Sequence, residues 1–357
     1  MAQIKTFLGA NTPSGFSSLF DEIYNPYKDG KAYIIKGGPG TGKSSFMKKV
    51  AAAANEKGYD TELVYCSSNP NSLDGVIVPK LSFCMVDGTA PHVVEPQFPG
   101  ASENIINMGQ FWDEEKIYEK RNDIRSLTIE NSLYHRRSAR FLSSAGAVCE
   151  DTQKLVSRFI NKDKIDSFCI RFVSRETPKK KNASPGKKTR RYISAITPNG
   201  VKFFDETVKA LASRIIGIED EYSAVSGIIT ERIGELAVKN GYDVIFCRCP
   251  MKKDECEHII IPQIGLAVIT VKSEHPTALS FDRLIHARRF VDASAMRAQK
   301  NRLSFNKKIT KELTEESISF LKKAKEVHDK LESCYIDSMD FKKADEYEQG
   351  FIERVVK

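Results

Sequence analysis

Apolar residues along this chain fall into short dense runs separated by polar stretches with helical spacing. Ala32 to Lys36 is a short apolar run closed by glycines, the pattern of a buried strand. Ser44 to Lys57 places Phe46, Met47, Val50, Ala51 and Ala54 at helical spacing. Glu62 to Cys66 and Leu81 to Val86 predict further buried strands. Strands alternating with helices predict a parallel sheet covered by helices. From Trp112 to about Ile160 the pattern turns helical and heavily charged, opening on Asp113-Glu114-Glu115, acids that suit a helix amino terminus. A similar stretch runs from Asp292 to about Tyr335. Each predicts a long helix or helical hairpin projecting from a sheet.

The pattern is written twice. Gly58-Tyr59-Asp60 returns 183 positions on as Gly241-Tyr242-Asp243, and Cys66, Pro79 and His92 meet Cys249, Pro262 and His275 at the same spacing. Thr12-Pro13-Ser14-Gly15 answers Thr197-Pro198-Asn199-Gly200 at 185. Beyond the Pro-rich stretch holding Pro96 and Pro99 the spacing is 179, pairing Asp113 with Asp292, Phe141-Leu142 with Phe320-Leu321, and Phe172 with Phe351. Such shifts are what loop insertions produce, since connections tolerate length changes that packed elements do not. The chain therefore reads as two α/β domains, 1–176 and 191–357, each a parallel sheet with a long helical extension, joined by a linker at 177–190.

Candidate chemistry sits in the first copy. Gly37-Gly38-Pro39-Gly40-Thr41-Gly42-Lys43-Ser44 fits G-x-x-x-x-G-K-[ST] between a predicted strand and a predicted helix. Glycines let backbone N–H groups curl around phosphate oxygens, and the following helix points its positive end at them. Lys43 is expected on the β- and γ-phosphates and the Ser44 hydroxyl on Mg²⁺, with Ser45 beside them in the nucleotide-binding set. Phe83-Cys84-Met85-Val86-Asp87 ends an apolar strand in a carboxylate, which makes Asp87 the second candidate magnesium ligand. Candidate catalytic residues are Lys43, Asp87 and Asp74. His92, Glu95 and Glu103 lie nearby in sequence, and no glutamate follows Asp87 to orient a water. His92 has a twin, His275, in the copy without the loop, which favours a structural role for it.

The second copy has lost this motif. Lys43, Ser44 and Asp87 fall on Ser226, Gly227 and Thr270, and the segment matching the loop reads Gly217-Ile218-Glu219-Asp220-Glu221-Tyr222-Ser223. Three adjacent carboxylates there repel a triphosphate. If the copies face each other, Arg288 or Arg289 would reach the first copy's γ-phosphate as an arginine finger supplied in cis.

Charge and cysteine narrow the classes. The formal net charge is +8, and Lys179, Lys180, Lys181, Lys187, Lys188, Arg190 and Arg191 crowd the stretch from Thr177 to Arg191. The rest is close to neutral, which argues against a nucleic-acid partner and suggests a solvated basic tether. Eight cysteines form no CxxC pair or zinc spacing, and Cys66, Cys84, Cys247 and Cys249 sit in apolar runs as buried, reduced thiols. Met1 to Leu8 does not resemble a signal segment, and Ile259 to Val271, interrupted by Pro262 and Gln263, is too short to span a bilayer. A cytoplasmic protein with no membrane span is expected.

GGPGTGKS at Gly37–Ser44 resembles the loop of AAA-type and related ATPases. FLGANTPSGF (7–16), YCSSNPNSLDGVIVP (65–79) and DGTAPH (87–92) extend the resemblance to a functionally uncharacterised family of bacterial tandem P-loop ATP-binding proteins. The resemblance implies nucleotide-binding roles for Lys43, Ser44 and Asp87, although this chain departs from the family in its second loop. The expected cofactors are ATP and Mg²⁺. Three functions follow: an ATPase with one active site coupled to conformational change, a small-molecule or nucleotide kinase, or a nucleotide-sensing scaffold with negligible turnover. The expected partners are the triphosphate and either another protein or a small-molecule acceptor.

Overall fold

The computed structural model describes residues 3–24, 30–90, 93–252, 254–273 and 277–357. His92 and His275 lie outside the described residues. The first half runs β1 (Gln3–Thr6), β2 (Gly9–Thr12), β3 (Gly15–Ser18), α1 (Asp21–Tyr24), β4 (Lys31–Lys36), α2 (Lys43–Glu56), β5 (Thr61–Tyr65), β6 (Leu73–Val78), β7 (Phe83–Asp87), β8 (Glu103–Asn107), α3 (Glu114–Glu119), α4 (Arg121–Ser157) and α5 (Lys162–Glu176). The second half repeats that order: β9 (Lys188–Arg191), β10 (Ser194–Thr197), β11 (Gly200–Phe203), α6 (Asp205–Leu211), β12 (Arg214–Glu219), α7 (Ser226–Lys239), β13 (Val244–Arg248), β14 (Cys256–Ile261), β15 (Leu266–Val271), β16 (Arg283–His286), α8 (Ala293–Ala298), α9 (Lys300–Ile336) and α10 (Phe341–Val355).

Both six-stranded sheets have the same order, β1-β5-β6-β7-β4-β8 and β9-β13-β14-β15-β12-β16. They are mixed rather than parallel. β6 runs antiparallel to both β5 and β7, as β14 does to β13 and β15. The cause is local. Residues 66–72 fold back tightly, with the Cys66 amide donating to Ser72 and the Ser72 amide to Asn69, so the chain returns alongside itself. β4 stays parallel to both its neighbours, β7 and β8, and therefore opens its carboxyl end into the crevice between them.

The two halves are interlocked about a pseudo-two-fold axis. The 37-residue helices α4 and α9 pack lengthwise on each other, each about 55 Å long at a helical rise of roughly 1.5 Å per residue. Phe7 and Tyr192, equivalent by repeat, exchange both backbone hydrogen bonds at 2.8 and 3.1 Å. Each half then gives its last helix to the other. α10 buries Ala344 and Phe351, and the residue after it Val356, against Phe46, Met47 and Val50 of α2. α5 buries Ile165, Phe168 and Phe172 against Ile229 and Ile233 of α7. Ion pairs repeat the exchange, Lys49 with Asp345 and Arg232 with Asp166, each at hydrogen-bond distance. The apolar face of each α/β unit is thus completed by a helix from the opposite half of the sequence.

The basic segment is a packed element rather than a solvated tether. Lys180 donates to the Gly241 carbonyl and lies over the Tyr242 ring, and β9 extends the second sheet beside β13. Arg190 pairs with Glu22, and the buried Arg191 pairs with Glu62, both acids of the first half. Charge counting alone could not see this, because the neutralising acids lie far away in sequence. No helix among the described residues is long and apolar enough to cross a membrane. All eight cysteines are free; Cys84, Cys247 and Cys249 are buried while Cys66 is half-buried, and burial pushes the Cys84 and Cys249 thiols up to about 12.

Candidate functional site

The glycine loop, residues 37–44, leaves the carboxyl end of β4 and turns into α2. Gly40 and Gly42 sit at φ +74° and +89°, where side chains are rarely accommodated, and this bends the loop back on itself. Thr41 is buried and its hydroxyl donates to the Gly38 carbonyl at 2.8 Å, which closes the turn. No side chain caps the amino terminus of α2, so its first N–H groups depend on the loop and whatever it surrounds.

Lys43 opens that helix. Its ammonium folds over the loop and donates to the carbonyls of Gly37 and Gly38 at 2.9 and 2.7 Å, with Asp87 Oδ2 at 3.6 Å. Asp87 ends β7 directly beside Ile35, and its other oxygen accepts from the Thr89 amide and hydroxyl. Ser44 Oγ accepts from the Leu73 amide at 2.9 Å and keeps its own proton and a further lone pair. Ser45, in the same first turn, is exposed. Asp74, buried on β6, adjoins the Gly75–Val86 pair and so lies at the same sheet end as Asp87. Burial, and then the Asp74 carboxylate, push the Cys66 thiol well above its usual value. Lys43, Ser44, Asp87 and Asp74, scattered over 45 positions of sequence, therefore meet around one crevice. A hydroxyl and a carboxylate are hard oxygen donors of the kind that suit a magnesium ion, and the buried ammonium beside them suits its phosphates.

Of the remaining acids named from sequence, Glu95 pairs with Lys36 at 2.6 Å. Glu103 is buried and accepts from the Gln97 and Phe98 amides, which gives it a structural role in that loop.

The same place in the second half is filled by the chain itself. Asp220, equivalent to Gly37, is buried and turns its carboxylate onto the amino terminus of α7, accepting from the amides of Val225 and Ser226 at 2.8 Å each. Glu219 pairs outward with His286 and Glu221 with Lys307. Only one of the three acids thus occupies the anion position, and it satisfies the helix end internally. Above it Leu155 and Val156 of α4 pack with Ala224 and Tyr222.

Arg288 and Arg289 are exposed in the second half, and the Arg289 guanidinium lies over Phe168 and Phe290. That stacking holds it beside α5 on the second sheet and not at the glycine loop. The groups from the second half that do reach the loop belong to α9, at Gly38 and Gly40, and to α10, whose Phe341 and Glu348 lie beside Gly42. A methyl group added to Gly38 would come within 2.5 Å of the Tyr335 ring, and one added to Gly40 within 2.6 Å of the Glu332 carbonyl. Tyr335 in turn rests against Trp112. Sequence spacing placed α9 as a projecting helix; only the crossing of the two halves brings its end onto the loop. Comparison with family models, with curated proteins and with solved structures returns no match.

Proposed function

We propose that this chain is a P-loop protein that binds ATP with magnesium at one site, in the first half, and hydrolyses it to drive movement of the interlocked helices. The observation that carries this reading is the contrast between the two duplicated helix ends. One is wrapped by glycines, lacks a side-chain cap and has a lysine, a serine and an aspartate around it. Its duplicate has Ser226, Gly227 and Thr270 at the matching positions and holds its own carboxylate, Asp220, on the amides. A helix end that needs an anion from outside is the one equipped to receive a phosphate.

In this reading the loop amides and Lys43 hold the β- and γ-phosphates, while Ser44 and Asp87 hold the metal. Magnesium, when bound, neutralises phosphate charge. Lys43 already spans the loop and would exchange its carbonyl partners for phosphate oxygens. Asp74 and Asp87 are the acids this reading assigns to the reacting end. The second half has a supporting or regulatory role, because its helix end is occupied.

A second reading, a nucleotide sensor with negligible turnover, is favoured by the residues after Asp87. They are Gly88 and Thr89 rather than an acid that could orient a water. A kinase reading requires an acceptor pocket. Magnesium-dependent binding of ATP, ADP release, and release with candidate acceptors, each measured for the parent and Lys43→Ala, separate the three. Binding lost in Lys43→Ala together with acceptor-free release supports the ATPase. Binding without release supports the sensor, and release only with an acceptor supports the kinase. Absence of magnesium-dependent triphosphate binding overturns the proposal.

A further inference from the structure

The last turns of α9 cross the glycine loop, and they carry a histidine and a glutamate at i, i+4 spacing, the glutamate at the contact and the histidine one turn before it. His328, Glu332 and Tyr335 share one face of the helix. The Tyr335 ring and the Glu332 carbonyl touch Gly38 and Gly40, so His328 is carried on the face turned to the loop. His328 Nδ1 is buried without a hydrogen-bond partner, and its nearest acid is the Glu332 carboxylate at 3.7 Å. Asp329 is held by Lys325 instead.

An internal control is built into the duplication. At the matching positions of α4, where the other long helix crosses the filled helix end, stand Cys149, Gln153 and Val156. Gln153 is engaged by Glu255, and Val156 packs into an apolar cluster. The histidine–glutamate pair occurs only over the loop that retains its lysine and serine.

We infer that the second half supplies the group that recognises the terminal phosphate: His328 donates a ring N–H to the γ-phosphoryl oxygens of the bound triphosphate, and Glu332 orients the ring. The inference rests on the nucleotide site proposed above and adds the contact that tells a triphosphate from a diphosphate. The charges facing the ring are Glu332, Asp329 and Lys325 on its own helix, Lys43 across the loop, and His135 from α4. Burial is the largest influence and favours the neutral ring in the free protein. An arriving triphosphate adds the negative charge that favours the imidazolium, both of whose nitrogens donate. One then serves Glu332 and the other the phosphate. A group reaching a γ-phosphate from a neighbouring unit is a general way to make a nucleotide's state felt beyond its own domain. Here the neighbour is the other half of the same chain, and the lever is the helix that joins both.

The test is equilibrium binding of Mg-ADP and of the magnesium complex of a non-hydrolysable β,γ-imido ATP analogue to the full chain. The parent, His328→Asn, Glu332→Gln and Lys43→Ala are compared, with thermal melts to confirm folding. The expected result is that His328→Asn weakens the triphosphate analogue about ten-fold or more and leaves ADP within about two-fold. Glu332→Gln should show the same selectivity with a smaller loss. If His328→Asn weakens both nucleotides equally or neither, while Lys43→Ala abolishes binding, this inference is overturned and the nucleotide site stands. If the parent binds neither nucleotide, both fall together.

Discussion

Ser138 Oγ and Ser317 Oγ share a hydrogen bond of 2.8 Å, and the two residues are each other's equivalents in the duplication. A residue that bonds its own equivalent lies on the symmetry axis. Phe141 and Phe320, also equivalent, stack beside them with centroids 5.5 Å apart. One of the two buried hydroxyls donates to the other, so removing either takes away its equivalent's partner. Ser138→Ala should therefore cost about 1–3 kcal/mol through the hydroxyl left at Ser317, whereas Ser138→Ala with Ser317→Ala should cost no more than either single change. Chemical denaturation of the three variants checks this; strictly additive losses would contradict it.

The helix exchange makes a prediction about folding units. Residues 1–176 alone would expose the face of α2 that Ala344 and Phe351 cover, and would carry α5 with Phe168 and Phe172 unburied. That fragment is expected to aggregate or to pair with a second copy of itself. Co-expression of 1–186 with 187–357 is expected to give a soluble one-to-one complex of the full chain's size. Size-exclusion chromatography with light scattering decides it, and a folded monomeric 1–176 fragment would show that the exchanged helices are dispensable.

Glu62 and Arg191 join the halves through a buried ion pair, with the Thr6 hydroxyl donating to the same carboxylate. Burial alone would raise the Glu62 carboxyl, but Arg191 and then Thr6 outweigh it and hold the group below the usual carboxylate range. A depressed carboxylate contributes stability above its unfolded value and loses it as pH falls through its folded value. Arg191→Met should cost about 3–5 kcal/mol at neutral pH by leaving a buried charge without its partner. The deficit should shrink toward pH 4 as Glu62 takes a proton. Glu62→Leu with Arg191→Met should recover most of the loss. Melts across pH test all three, and a deficit independent of pH would assign the cost to packing instead.

Much of this architecture was legible in the residues, and the failures have a common cause. The repeat, the strand before Gly37 and the helix after it follow from period and spacing, because these are local properties. The loop residues also come out adjacent, since eight consecutive positions cannot lie far apart. β6 escaped because Asp74 and Gly75 break its apolar run and leave only Val76, Ile77 and Val78 in sequence before Pro79. The docking of the basic segment through Arg191 was misjudged because its acids, Glu22 and Glu62, lie more than a hundred positions away. His328, Glu332 and Tyr335 carried only a helical pattern, and nothing in that pattern says which loop the helix end will meet. Asp220 was visible as one of three acids, but not as the one that turns inward. Partner choice across a pseudo-two-fold axis is a tertiary fact, and only coordinates supply it.

Asp220 gives the sharpest test of the difference between the two halves. Its carboxylate holds two amides at the start of α7, a cap whose loss in other helices costs about 0.5–2 kcal/mol. Asp220→Ala should lower the melting temperature accordingly without touching the first half. It should not create a second nucleotide site, since Ser226, Gly227 and Thr270 stand where lysine, serine and aspartate would be needed and Leu155 and Val156 cover the crevice. Calorimetric titration with Mg-ATP should therefore return one site per chain for both parent and variant. A stoichiometry that rises to two in Asp220→Ala would mean that a single carboxylate is all that silences the second half, and the division of labour proposed between the halves would have to be abandoned.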